Sequence, residues 1–489
     1  MIFNSIPFLI FFVVVVVAYY VLPHRWRWPL LLTASCYFYM AFVPAYILIL
    51  AFTIGVDYFG GIFIERSKGA ARKRWLTASV LSNVSVLAFF KYYAFLTENI
   101  EALMQGIGWL DHPLPELGII LPIGLSFHTF QSLSYTIEVY YGRQKAERHF
   151  GIFSLYVMFF PQLVAGPIER PGNLLRQLHL KIQFNAATVA SGLRLMAWGF
   201  FKKLIIADRV AVMVDHVYNA PGDHEGPALI LATFFFAIQI YCDFSGYTDI
   251  ALGAARCLGI SLMRNFRTPY YSANVSEFWS RWHISLSTWF RDYVYIPMGG
   301  NRVVKWRWYF NLMVTFVLSG FWHGAAWTYI IWGMLHGFFL IFAIVSKDVR
   351  SGLGRWLGLE KVPRLNHVLQ VLITFILVDF AWIFFRASSV HDAFQIVGNL
   401  FTGLGGFFTR DAFTFWSPLL GVGRKEMALA LLGIAVMELV QRIDLRRGAT
   451  QWISARPPWQ RWAFYTGLVC SVIYFGSYYN PTQFIYFQF

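Results

Sequence analysis

The sequence predicts an all-α polytopic membrane protein, and three observations carry that prediction. Of 489 residues, 57% are hydrophobic and 19% aromatic, while only 13% are charged, which excludes an ordinary soluble domain. Apolar runs near the membrane-spanning length of about 20 residues recur along the chain. Basic and acidic residues alternate in blocks between these runs rather than mixing. The polar stretches are too short to act as linkers between folded units, so one membrane-embedded domain over 1–489 is expected.

The first run, Ile2 to Leu22, is too long for a signal-peptide core and lacks a small-x-small cleavage site, so it is expected to remain as a membrane helix. Further helices are expected over 29–43, 45–64, 76–97, 118–141, 150–167, 228–245, 309–324, 326–345, 366–385, 424–441 and 462–479. Apolar length makes this roughly ten to twelve crossings. Pro122 and Gly124 interrupt one stretch; Pro161, Gly166 and Pro167 interrupt another. Such breaks are tolerated where backbone is buried or lines a cavity, and they suggest re-entrant elements. Arg264 to Arg302 is rich in Trp, Arg, Asn and Ser. There Ser276 to Phe290 reads as an amphipathic helix lying against the membrane body, before a turn at Pro297-Met298-Gly299-Gly300. No internal repeat is visible, which weakens a transporter built from inverted halves. Cys36, Cys242, Cys257 and Cys470 show no metal-ligand spacing and read as buried free thiols; no metal site is expected.

The net charge of +15 sets topology. Glu65 to Arg74 carries five basic residues, whereas Tyr92 to Gly142 has no Lys or Arg. Arg143 to Arg209 is basic again, including Lys202 and Lys203, and Val210 to Ala255 has neither Lys nor Arg. Lys347 to Arg364 and Arg442 to Arg461 continue the alternation. The positive-inside rule places the basic blocks in the cytoplasm and both termini outside. Orientation accounts for most of these charges; a docking face for an anionic donor or acidic carrier is the alternative. No nucleic-acid partner is expected.

An ionisable group at membrane depth is expensive and usually marks function. Phe321-Trp322-His323-Gly324 places a histidine in an apolar run, and Glu277-Phe278-Trp279-Ser280-Arg281-Trp282-His283 places another 40 residues earlier. Histidine takes and returns a proton near neutral pH, and apolar surroundings favour the neutral ring that a base needs. Gly320 and Gly324 leave room for close approach. The bland alternative for His323 is a structural histidine bonded to a helix carbonyl. His283, beside Arg281 on a more polar element, reads by itself as interfacial packing.

The wider text adds Asp243-Phe244-Ser245-Gly246-Tyr247-Thr248-Asp249, Asn265-Phe266-Arg267-Thr268-Pro269-Tyr270, Trp289-Phe290-Arg291-Asp292-Tyr293 and Tyr295-Ile296-Pro297-Met298-Gly299-Gly300-Asn301-Arg302. In this order, dense over about 240–337, the motifs closely resemble the membrane-bound O-acyltransferase family, nearest its bacterial branch of alginate O-acetyltransferases. Weaker likeness extends to Leu121-Pro122-Ile123-Gly124 and Phe384-Phe385-Arg386-Ala387. The resemblance implies a helical bundle around a funnel or tunnel, with His323 as the catalytic histidine and His283 as the second active-site histidine. It implies an acyl group taken from a cytoplasmic thioester, acetyl-CoA or another, to an acceptor across the bacterial inner membrane. The segment Gly299-Gly300-Asn301-Arg302 is similar to the polysaccharide-acetylating branch.

A hydroxyl is a weak nucleophile until a positioned base removes its proton. His323 is the expected base, with His283 orienting or stabilising charge. Trp279, Trp282 and Trp322 are expected to wall the site against water, ordinary aromatic packing being the alternative. Asp243, Asn265, Arg291 and Asp292 are tunnel candidates or helix-end partners. The tail 484–489, Phe484-Ile485-Tyr486-Phe487-Gln488-Phe489, reads either as an interfacial aromatic anchor or, by resemblance, as a motif whose Tyr486 carries the acyl group. The resemblance also implies membrane lipids as surroundings, a polysaccharide acceptor and handover to a separate periplasmic SGNH-type acetyltransferase with a serine nucleophile. Three other classes stay open: a D-alanyl transferase of teichoic-acid type using an acyl carrier protein, a proton-coupled lipid or polysaccharide translocator, and a non-catalytic scaffold.

Overall fold

A computed structural model describes residues 1–108, 117–118, 121–164, 166–405, 419–478 and 484–485, and among these there is no β-strand. The chain forms two compact units, one of residues Met1–Met196 with Thr248–Met263, the other of Ala197–Tyr247 with Arg264–Phe489. Five described helices are long and apolar enough to cross a membrane: Tyr46–Arg66, Gly69–Gly106, Gly226–Cys257, Trp327–Val345 and Pro363–Arg386. The protein is a multi-pass membrane protein.

The first unit contains α1 (Ile6–Val21), α2 (His24–Met40), α3 (Tyr46–Arg66), α4 (Gly69–Leu87), α5 (Tyr93–Gly106), α6 (Leu125–Tyr140), α7 (Phe150–Met158), α8 (Pro171–Leu178) and most of α9 (Ala186–Phe200). A π segment, Ala88–Tyr92, joins α4 to α5. On α1, Ile6, Leu9, Ile10, Val13, Val14 and Val17 are exposed, a face suited to lipid rather than water. One buried carboxylate ties three helices together. Asp57 on α3 accepts from Ser79 Oγ at 2.6 Å and from Asn83 Nδ2 at 2.9 and 3.0 Å on α4, and from Ser132 Oγ on α6. An apolar interior makes such bonds worth more than in water and their loss correspondingly costly. Gly61 lets α6 approach, because a Cβ there would lie 2.6 Å from the Tyr135 ring.

The run expected over 150–167 is shorter as a helix: α7 stops at Met158, and Phe159–Val164 turns instead. Phe160 N–H donates to Ser35 Oγ at 3.0 Å, replacing the helical partner. Gly124, with φ of 76°, precedes α6; a Cβ there would sit 2.8 Å from the Leu163 carbonyl.

The second unit holds α10 (Asp208–Tyr218), the Gly226–Tyr247 part of α11 (Gly226–Cys257), α12 (Val275–Arg281), α13 (Ile284–Phe290), α14 (Lys305–His323), α15 (Trp327–Val345), α16 (Lys347–Trp356), α17 (Pro363–Arg386), α18 (Val390–Asn399) and the helices Arg424–Arg447, Ala449–Ser454 and Pro458–Phe475. The apolar window of α11 is 83% buried, against 28% for α15 and 39% for α17, so α11 runs through the interior. Glycines bring α14 and α15 together: a Cβ at Gly320 would lie 2.2 Å from the Tyr329 carbonyl oxygen, and one at Gly333 2.3 Å from that of Phe316. Small residues at contacts are how helices associate where lipid removes the hydrophobic drive.

Three expectations are corrected here. The helix expected over Ser276–Phe290 is two short helices broken at Trp282–His283. Lys202 and Lys203 belong to no surface basic block: both are 4% exposed, on the π segment Phe201–Ala207, all of whose residues are buried. Cys470 is exposed, on the helix Pro458–Phe475 that has no buried residue, and Cys36 on α2 is half-buried; Cys242 and Cys257 are buried.

Asp57→Ala leaves Ser79, Asn83 and Ser132 without their shared acceptor, at about 1–3 kcal/mol for each group left unsatisfied. The expected result is a clear drop in the unfolding midpoint of the detergent-solubilised protein by tryptophan fluorescence, with Asp57→Asn intermediate.

Candidate active site

His323 is the last residue of α14, and Gly324 follows in extended conformation. A Cβ at Gly324 would meet the Tyr329 ring at 2.1 Å, so glycine here makes room for that ring. His323 is 3% exposed. Its ring lies edge-on to Trp332 at 5.0 Å and Phe385 at 5.3 Å, and 4.9 Å from Trp322.

His283 sits at the junction of α12 and α13 with φ of 41°, a left-handed conformation that side chains rarely adopt. The partners that hold it come from Asn265 and Arg267. Arg267 N–H donates to the Arg281 carbonyl at 3.0 Å, Ile284 N–H to the Asn265 carbonyl at 3.0 Å, and Ser285 N–H to Asn265 Oδ1 at 3.2 Å. Asn265 thus caps α13 from another segment. His283 is fully buried, 4.7 Å from the Phe244 ring and 6.1 Å from Trp322. It lies outside the membrane-spanning helices, and burial lowers its pKa to about 3, keeping the ring neutral. Trp322 therefore neighbours both histidines.

Around them is a packed aromatic wall. Trp332 is 5.7 Å from Trp279 and stacks on Trp382 at 5.7 Å. Trp282 packs on Phe278 at 5.5 Å and Trp382 at 5.2 Å. A third histidine, His336, is fully buried in this wall; Trp279 Nε1–H donates to its Nδ1 at 3.2 Å, and its ring is 5.0 Å from Trp332. Sequence reading missed His336, although the same signal was there: an ionisable residue inside the apolar run 326–345.

The polar candidates separate. Asp243 is buried, pairs with Lys203 Nζ at 2.7 Å and accepts from the Ile485 backbone N–H at 2.7 Å. Lys203 also pairs with Asp208 at 2.7 Å, and Lys202 donates to Ser245 Oγ at 2.8 Å. Arg291 and Asp292 pair with each other at 2.8 Å, with the Arg291 side chain 59% exposed. Of the tail, Phe484 and Ile485 are described and buried, while Tyr486 and residues 487–489 lie outside the described residues. The arrangement offers two buried imidazoles beside one indole, among packed aromatic rings.

Residues 149–352 match the membrane-bound O-acyltransferase family. A probable alginate O-acetylase of Pseudomonas aeruginosa is 38% identical over 405 residues, covering 82% of this chain and 75% of its own. The chain belongs to the membrane-bound O-acyltransferase family. This O-acyltransferase is also 35% identical to a peptidoglycan O-acetyltransferase of Helicobacter pylori, over 77% of this chain and 74% of that one. A teichoic acid D-alanyltransferase of Bacillus subtilis is 30% identical over 58% of this chain and 74% of its own. In the acyltransferase, then, the dense motif region 240–337 supplies the histidines and most of the surrounding rings, with Trp382 and Phe385 added from α17.

Asn265→Ala removes the side-chain acceptor for Ser285 N–H and costs about 1 kcal/mol at the start of α13. We expect a lowered unfolding midpoint together with reduced acyl transfer, because the same cap fixes the backbone of His283; both are read on one preparation in lipid.

Proposed function

We propose that this protein is a bacterial inner-membrane O-acetyltransferase with its N-terminus outside. It takes acetyl from a cytoplasmic thioester, acetyl-CoA, for O-acetylation of an extracytoplasmic polysaccharide. The observation that carries this reading is Trp322 neighbouring both His283 and His323 in a buried aromatic chamber. Relatives named for O-acetylation also match more of the chain, at higher identity, than those named for D-alanylation.

His323 is the general base in this reading. It takes the proton from an attacking hydroxyl as the oxygen adds to the thioester carbonyl. The carbon–sulfur bond breaks, and the imidazolium returns the proton to the leaving thiolate, so the ring ends neutral. His283 orients the reacting groups or stabilises the developing charge. Trp279, Trp282 and Trp322 keep water from competing for the acyl group. Tyr486 is the first acceptor, through its phenolic oxygen. The resulting aryl ester passes acetyl to the polysaccharide through a periplasmic acetyltransferase with a serine nucleophile. Acetyl passes through a tunnel in the bundle, and roughly ten to twelve crossings enclose it.

Purified protein in lipid is supplied with labelled acetyl-CoA. Wild type is expected to retain label; His323→Ala loses it by on the order of 10²–10⁴-fold, the usual worth of a general base, and Tyr486→Phe loses it while keeping its fold. Label retained by Tyr486→Phe removes the tyrosine from the path. Label supported by a D-alanyl carrier protein and not by acetyl-CoA replaces acetyl with D-alanyl transfer.

A further inference from the structure

The second unit contains a charged cluster that the transfer chemistry above does not use. Lys203 Nζ lies 2.7 Å from both Asp208 Oδ1 and Asp243 Oδ1, and the three side chains are 4% exposed or less. One ammonium therefore faces two buried carboxylates, and Asp243 is stabilised further by a directed donor. That donor comes from 242 residues away: the backbone N–H of Ile485, 2.7 Å from Asp243 Oδ2. The preceding ring, Phe484, stacks on Tyr247 at 4.4 Å and lies 5.8 Å from Phe244. Phe244 is in turn edge-on to His283 at 4.7 Å. Asp243, Phe244 and Tyr247 occupy neighbouring positions on α11, so one helical turn grips the backbone and the ring of the terminal segment beside the second histidine.

We infer that Asp243, set by Lys203, is a positioning residue that fixes the register of the C-terminal segment against the His283 site. A main-chain amide is the anchored group, so the contact specifies where the segment sits rather than which side chain follows. The residue next in sequence is Tyr486; its use as acyl carrier rests on the function proposed above, whereas the latch does not.

Asp243→Leu removes the acceptor yet leaves Lys203 matched with Asp208, so no unpaired ammonium remains to unfold the protein. Asp243→Asn keeps an oxygen for the Ile485 N–H. Full-length protein in lipid nanodiscs is digested with carboxypeptidase Y and followed by intact mass. Wild type is expected to resist trimming at Ile485 and Phe484, Asp243→Leu to be trimmed there on the order of tenfold faster, as suits a lost hydrogen bond to a charged group, and Asp243→Asn to regain most of the protection. Equal trimming of wild type and Asp243→Leu would overturn the latch. Acetyl label retained on the protein itself from labelled acetyl-CoA supplies the second readout. Asp243→Leu should lower it about tenfold, and Asp243→Asn should regain most of it. Full labelling of Asp243→Leu, with its tail trimmed faster than wild type, would sink the positioning role. A wild type that transfers no acetyl, but whose tail protection still depends on Asp243, removes the acetyltransferase reading and keeps the latch.

Discussion

Charge in an apolar interior must be neutralised or matched, because desolvating an isolated ion costs more than the fold can supply. Much of this structure follows from that constraint. In the first unit, Asp57 is met by hydroxyl and amide donors from two other helices. In the second, Lys203 stands between Asp208 and Asp243, and Lys202 is held by Ser245. Each arrangement joins segments far apart in sequence, so satisfying the polar group and assembling the helices are the same event.

The histidine chamber obeys the same rule by a different route. Imidazole can be buried neutral, and burial beside aromatic rings favours that form at His283. Rings also fill volume with few rotamers, which suits a site where the reacting carbonyl must be held and water kept out. His336 completes the wall by accepting the Trp279 indole proton, so an otherwise unpaired buried donor becomes a fixed part of the chamber. Glycine works beside the rings: Gly320 and Gly333 let α14 and α15 touch, and Gly324 makes room for the Tyr329 ring directly after His323. The His283 backbone, in its left-handed conformation, is secured by Asn265 rather than by its own helices.

The sequence by itself determined the class of the molecule and singled out the two histidines that the fold places beside one tryptophan. Apolar length and helical periodicity are local properties, so the expected runs meet real helices, from α1 to Pro458–Phe475. The cost of ionisable groups in apolar runs is also local information, and it singled out His323. The motif order around it marked the family to which the chain belongs. Only the tertiary structure decided the partners. Lys202 and Lys203 look like any basic pair until α11 supplies Ser245 and Asp243. Asn265 is a loop polar residue until the α12–α13 junction folds beneath it. The split of Ser276–Phe290 at His283 depends on that same bracket, which no periodicity encodes. Asp243 and Ile485, 242 residues apart, meet because the fold closes that distance. Spacing along a chain records which face a residue occupies; it does not record what the fold brings to that face.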